Sequence, residues 1–251
     1  MKVLETRGLK KSFQEFSALK GVDIHVNEGE LFGLIGPNGS GKTTFFNCVT
    51  GALSCSGGNV FFRGKDITNK GPDAIYRMGI GRTFQLIEMF PNMTVLDNML
   101  LAIQESQGSM FGRLLMMNED GNVKKALDLL GFLKISHLRD EYSKNLSYGQ
   151  QKLLDFGMVL MTNPKLILLD EPTCGVEVEM RQEMMNYIRD LNKQGHTIIV
   201  IEHNMDVVMN LCTRIAVLDA GEKIAEGTPE EIQNNAQVIE AYFGTEEDEE
   251  C

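Results

Sequence analysis

An α/β fold, with a parallel sheet that a helical insert interrupts, is what the order of apolar segments predicts. Three observations carry it. The stretch "ELFGLIG" (30–36) is a buried-strand pattern that runs into the glycine-rich turn "PNGSGK" and then a helical stretch, "TTFFNCVTG". The stretch "LILLD" (166–170) is a second apolar strand, and it closes on Asp170 followed by Glu171. From about Pro72 to Leu160 apolar residues recur at three- and four-residue spacing, after which strands and helices alternate again.

Taken in order, "VLETRGL", "GVDIHV" and "LFGLIG" read as strands, and "GGNVFFRGKDI" as another with turn glycines on both sides. "TVLDNMLLAI" and "VKKALDLLGFL" have helical spacing, whereas "ESQGSMFGRLLMMNEDG" between them has no clear period and reads as a variable excursion. "KLILLD" and "HTIIVIE" are buried strands. The helix between them spans about Glu177 to Lys193 and turns Met180, Met184, Ile188 and Leu191 to one core-facing side. "RIAVLDAGEKIAEG" reads as a hairpin with Ala220-Gly221 in the turn. One domain is expected over residues 1–244, with a helical subdomain at about 87–162 and an acidic, disordered tail at 245–251.

The net charge is −11, and five of the acidic charges stand in "TEEDEEC". Without a basic stripe, nucleic acid is a poor ligand, and the acidic balance opposes direct binding to anionic lipid. No apolar run reaches the length of a membrane span, and the start has no apolar signal core, so a cytoplasmic location is expected. Membrane association then requires a protein partner. Cys48, Cys55, Cys174, Cys212 and Cys251 form no close pair, so reduced thiols are expected rather than a metal site.

The spacing Gly36-x-x-x-x-Gly41-Lys42-Thr43 after a strand is the phosphate-loop pattern. Glycines let the chain turn so that backbone N–H groups face phosphate oxygens, and the helix that follows adds its positive end. The candidate phosphate-binding set is Asn38, Gly39, Ser40, Gly41, Lys42, Thr43 and Thr44. Lys42 reaches the β- and γ-phosphates and the Thr43 hydroxyl ligates Mg²⁺. Asp170 at a strand end holds Mg²⁺ directly or through water, and Glu171 orients or deprotonates the attacking water. A phosphate loop alone does not separate kinase, GTPase and ATPase. Two further stretches bear on the choice. "NLSYGQQK" places Ser147, Gly149 and Gln150 before the apolar-periodic "LLDFGMVLM", and Ser147 fits an N-cap whether or not it has a second task. His203 follows a buried strand in "VIEHN", where it is either a structural residue or within reach of a γ-phosphate.

Together these stretches resemble the ATP-binding cassette (ABC) family over nearly the whole chain. The order matches: phosphate loop at 36–44, glutamine loop at Gln85, signature "LSYGQ" at Leu146–Gln150, then "LILLDE", then His203. The resemblance implies an α/β P-loop NTPase core with a mixed sheet, an antiparallel β subdomain and a helical insert. It implies ATP and Mg²⁺ as cofactors, with Gln85 contacting the metal and the reacting centre. Phe13 stacks on adenine in this reading, or packs in the core in the plainer one. The signature residues Ser147, Gly149 and Gln150 close over the γ-phosphate held by a second copy or a close paralogue, in a head-to-tail dimer.

"GIGRTFQ", "YGQQ" and "IEHNMDVVM" look like the ATPase subunits of branched-chain amino acid uptake systems, which urea-uptake and lipopolysaccharide-export ATPases resemble closely. This similarity implies transmembrane permease subunits as partners, a substrate-binding protein indirectly, and a peripheral place on the cytoplasmic face of the membrane. Two positions depart from the wider family pattern: Tyr148 stands where glycine is usual, and Glu177 where Asp or Asn is common. Leu86, Ile87, Met89, Phe90 and Met93 either dock a membrane subunit or line a small core of the insert. A soluble cassette of DNA repair or translation would bring a second cassette, long coiled coils or basic arms, and none is visible.

Overall fold

The computed structural model describes residues 1–83, 89–103 and 119–243. The chain opens with strands β1 (Lys2–Phe13), β2 (Phe16–Val22), β3 (His25–Asn27) and β4 (Leu31–Ile35), then helix α1 (Lys42–Val49). Next come β5 (Gly57–Phe62), β6 (Lys65–Asp66), α2 (Pro72–Arg77), β7 (Ile80–Arg82), α3 (Val95–Leu101), α4 (Glu119–Phe132) and α5 (Tyr148–Met161). The remainder is β8 (Leu166–Asp170), α6 (Val178–Lys193), β9 (Thr197–Ile201), α7 (Met205–Leu211), β10 (Arg214–Asp219), β11 (Glu222–Gly227), α8 (Pro229–Gln233) and α9 (Ala236–Phe243).

The central sheet has the order β11-β10-β4-β9-β8-β7, parallel throughout except for the β10–β11 hairpin. Strands β4, β8 and β9 are buried at every position, which is why they read as unbroken apolar runs. Side chains alternate between two cores. Leu166 and Leu168 face one that includes Leu4, Val26, Phe62, Phe45 and Phe46, while Ile167 and Leu169 face one built with α5 and α6. The first core lies under a second sheet, antiparallel, of order β2-β1-β5-β6 with β3 paired to β1. Phe45 and Phe46, essentially fully buried, each contribute about 1.5–3 kcal/mol and anchor α1 beneath the loop that precedes it. Ala220 and Gly221 both take positive φ, 42° and 84°, the turn geometry a two-residue hairpin needs.

Three expectations are corrected. "GGNVFFRGKDI" is not one strand but two, β5 and β6, paired antiparallel across the turn at Arg63-Gly64. "GVDIHV" is not one strand: β2 begins earlier, at Phe16, and ends at Val22, and β3 starts at His25. The Asp23 carboxylate accepts the Gly8 amide and Thr6 Oγ1 accepts the Ile24 amide, so side chains take backbone partners there and break the ladder. The stretch 72–160 is not wholly helical either. Ile80–Arg82 is an edge strand, with Ile80 beside Leu166 and Arg82 beside Leu168. Three residues are too few to show a period.

The helical arm is α3, α4 and α5, packed through Val95, Met99, Ala126, Leu130, Leu153 and Phe156. Thr94 caps α3 in a reciprocal box with Asp97. Residues 104–118, which hold most of the aperiodic excursion, and the tail 244–251 lie outside the described residues. No helix among the described residues is long and apolar enough to cross a membrane. Cys48 and Cys212 are buried, Cys55 and Cys174 half-buried, and all four are free thiols.

Candidate functional site

Because β4, β8 and β9 are parallel neighbours, their carboxyl ends share one edge of the sheet. Ile201 lies between Leu34 and Asp170 in the register, so the loop after β4 and the acids after β8 meet there. The loop is shaped by glycines at two close approaches. A Cβ on Gly36 would stand 2.0 Å from the Leu218 carbonyl oxygen, and one on Gly41 2.6 Å from that of Ala18. Gly41, at φ 105°, is the N-cap of α1, and the buried Ser40 accepts the Gly221 amide on its carbonyl at 3.1 Å. Asn38 and Gly39 are exposed, Thr43 is exposed and Thr44 half-buried in the first turn of α1. Lys42 Nζ donates to the carbonyls of Gly36 (2.8 Å) and Pro37 (2.9 Å). Burial pulls the Lys42 pKa down, and the nearby Glu171 and Asp170 push it back up.

Asp170 is 1% exposed and its Oδ2 accepts from Arg82 Nη2 at 2.8 Å. Arg82 is held in turn by Asn47 Oδ1 at 2.6 Å and by the ring of Phe46 beneath its guanidinium. The other oxygen, Asp170 Oδ1, is buried and has no hydrogen-bond partner among the described residues. A hard carboxylate oxygen left in this state, at the edge where the phosphate loop begins, fits a divalent cation such as Mg²⁺. Thr83 Oγ1 accepts the Asp170 amide at 3.2 Å. Gln85 follows two residues later and lies outside the described residues.

Glu171 takes a left-handed backbone, φ 49°, rare for a residue with a side chain. Its amide donates to the Ile201 carbonyl at 2.9 Å, and its carbonyl accepts from Lys152 Nζ at 3.3 Å and from the Cys174 amide at 3.2 Å. Its Oε1 lies 3.4 Å from Nδ1 of His203, which is half exposed just past β9. The structure thus gathers Lys42, Asp170, Glu171 and His203 at adjacent strand ends. It adds Arg82, Asn47, Thr83 and Lys152, which sequence reasoning missed; the one signal was an arginine closing the short stretch "GIGR".

The signature stretch stands at the N-terminus of α5. Ser147 Oγ accepts the Gln150 amide at 3.4 Å, and Gln150 Oε1 accepts the Ser147 amide at 2.9 Å, a reciprocal capping box. Gly149 packs on Met180, and Tyr148 lies against Gly175, where a Cβ would come within 2.9 Å of its ring. Lys152 Nζ sits 5.7 Å from the same ring, so the tyrosine that departs from the family pattern has a built seat. Glu177 is the exposed N-cap residue of α6, without a side-chain cap bond. Phe13 is exposed rather than packed in the core, facing Phe16 across a turn, with Lys11 Nζ 4.8 Å over its ring.

The apolar stretch after Gln85 is divided. Leu86 and Ile87 lie outside the described residues, Met89 packs partly against the helical core, Met93 is half-buried and Phe90 is 53% exposed. The Phe90 backbone is pinned from below: its amide donates to Asn98 Oδ1 at 2.8 Å and its carbonyl accepts from Ser143 Oγ at 2.7 Å. Asn98 and Ser143 are fully buried.

The family model described as "ABC transporter" matches residues 19–174, and the model "Branched-chain amino acid ATP-binding cassette transporter" matches residues 222–248. The chain is 44% identical, over 100% of its length and 99% of the relative's, to the probable branched-chain amino acid transport ATP-binding protein LivG of Archaeoglobus fulgidus. A solved ATP-binding cassette of an ABC transporter in its ADP conformation superposes with a TM-score of 0.87 at 41% identity, covering 97% of this chain and 99% of that one. A dimeric cassette in a post-hydrolysis state, bound to ADP and Pi, superposes with a TM-score of 0.78 at 27% identity, covering 90% and 98%.

Proposed function

The chain belongs to the ABC transporter family as an ATP-hydrolysing subunit, and we propose that it energises the uptake of branched-chain amino acids. One observation carries the mechanism: Lys42, Asp170, Glu171 and His203 converge where β4, β8 and β9 end, with Glu171 Oε1 3.4 Å from His203 Nδ1. The likeness to a relative named for branched-chain amino acid transport supports that substrate over urea, lipopolysaccharide or a soluble role.

In this reading the amides of Asn38 to Lys42, with Thr43 and Thr44, bind the triphosphate, and Lys42 exchanges its bonds to the Gly36 and Pro37 carbonyls for phosphate oxygens. Thr43, Asp170 Oδ1 and Gln85 would hold Mg²⁺, which when bound would supply positive charge beside the phosphates. Arg82 keeps Oδ2 of Asp170 occupied, which leaves Oδ1 as the oxygen that would take the metal. Glu171 orients the attacking water and His203 sits beside the γ-phosphate. Phe13, exposed at a strand end, offers its face to adenine.

The signature residues Ser147, Gly149 and Gln150 are engaged in a cap and an exposed helix end, not with their own phosphate loop. That arrangement suits closure over the nucleotide of a second copy or a close paralogue, where the helix end meets anionic oxygen. The matching dimeric cassette bound to ADP and Pi supports such a pairing. Closure would pull on permease subunits at the cytoplasmic face of the membrane, docked beside Phe90, with a substrate-binding protein acting through them.

The test is Glu171→Gln. It should retain ATP binding, slow hydrolysis by about 10²–10⁴-fold and accumulate an ATP-bound dimer in sedimentation. Near-normal turnover would overturn the assignment. For the substrate, vesicles carrying the permease and binding protein should take up labelled leucine with ATP inside, and uptake of urea alone would refute the choice.

A further inference from the structure

None of these steps uses Glu202, yet it is a carboxylate at 1% exposure, between the end of β9 and His203. Its Oε1 accepts two hydrogen bonds from Thr173, one from the amide at 3.0 Å and one from the hydroxyl at 2.7 Å. Thr173 is itself 3% exposed, two residues past Glu171 in the turn that leaves β8. One residue before Glu202, the Ile201 carbonyl accepts the Glu171 amide at 2.9 Å. Two consecutive residues of one strand end therefore grip the turn at Glu171 and at Thr173. A carboxylate is a costly way to fill buried space, so its use here calls for a polar task. The backbone beside it supplies one. Glu171 is held at φ 49°, a conformation that is costly for a residue with a side chain and persists only where its surroundings over-determine it.

We infer that Glu202 is a positioning residue for hydrolysis: through Thr173 it holds Glu171 in its left-handed conformation and sets the Glu171 carboxylate against His203. The inference rests on the role proposed above for Glu171. Because Glu202 adjoins His203 in the chain, the clamp also makes the turn 171–177 and the His203 strand end move together. Loss of the clamp leaves the phosphate loop and Asp170 in place, so the effect falls on turnover rather than on ATP affinity.

Four single variants and one double variant of the full chain test this, with ATP turnover, binding of a fluorescent ATP analogue and thermal melts as readouts. Glu202→Met removes the acceptor at similar volume, and Thr173→Val removes the hydroxyl at constant shape. Each should lower kcat by about 10- to 100-fold, the scale of a small misplacement of reacting groups, with KM for ATP within about threefold. Glu202→Gln and Thr173→Ser, which keep an acceptor and a hydroxyl, should recover most of the rate. The Glu202→Met/Thr173→Val double variant should be no slower than the worse single one, since both break one contact. Parental kcat in Thr173→Val, or a loss in KM equal to that in kcat, would overturn the inference; Thr173→Val decides if Glu202→Met fails to fold. Glu171→Gln run alongside separates the two claims. Normal turnover there removes the premise and the inference with it, whereas an inactive Glu171→Gln beside a fully active Thr173→Val sinks the clamp alone.

Discussion

Around the ends of β4, β8 and β9 the chain is held in conformations that ordinary residues avoid. Gly36 and Gly41 are wedged against carbonyls, Glu171 is left-handed, and Lys42, Arg82, Asp170 and Glu202 are charged groups with little exposure. In the arm of α3 to α5 the devices are helix caps and hydrogen bonds to a loop backbone. Thr94 and Ser147 cap their helices in reciprocal boxes, and the loop at Phe90 hangs on the amide of Asn98 and the hydroxyl of Ser143. The difference follows from what each region must do. Groups proposed to act on a phosphate have to stand ready before substrate arrives, which takes strain and buried charge. A helix end and a surface loop need only be presented, and capping is enough for that.

Substitutions can break this contrast, and the largest effect is expected at Gly36. Gly36→Ala puts a methyl 2.0 Å from the Leu218 carbonyl oxygen, so β4 and β10 cannot both keep their places. A loss of about 3–5 kcal/mol in denaturant unfolding, with ATP binding abolished, is expected. A stable Gly36→Ala chain that binds ATP would mean the loop is not wedged.

Asn98→Ala comes next. It strips the Phe90 amide of its buried acceptor and should cost about 1–3 kcal/mol, read as a lowered Tm. ATP turnover in solution should persist, because the strand-end groups are untouched. An unchanged Tm would show that the loop is not pinned from below.

Ser147→Ala removes a cap and should cost about 1 kcal/mol of stability. Its effect on hydrolysis should be disproportionate at protein concentrations that favour the dimer, since the same residue is proposed to meet a second copy's nucleotide. Equal losses in the two measurements would reduce Ser147 to a cap. Phe90→Ser is the smallest: an exposed position should change stability by less than about 0.5 kcal/mol and leave basal hydrolysis intact. Permease-coupled transport should nevertheless fall, because Phe90 is proposed to anchor the permease and anchors carry most of an interface's binding energy. A Tm shift of many degrees would place Phe90 in the core.

The sequence by itself determined the features that are local in the chain. The phosphate loop is legible because a strand, a glycine turn and a helix are consecutive. The acids after "LILLD" are legible because the apolar run announces a buried strand end. The Ala220-Gly221 hairpin turn and the extent of α6 follow from turn chemistry and from a four-residue apolar spacing. Ser147 was readable as a cap because its partner, Gln150, lies three residues away. Tertiary structure alone decided the rest. Arg82 meets Asp170 across 88 positions only because β7 lies beside β8, and three residues carry no period from which to read that strand. Glu202 finds Thr173 because β9 is inserted between β4 and β8, a sheet order that no local pattern encodes. A buried charge is partnered by whatever the register brings opposite it, and register is a property of the assembled sheet.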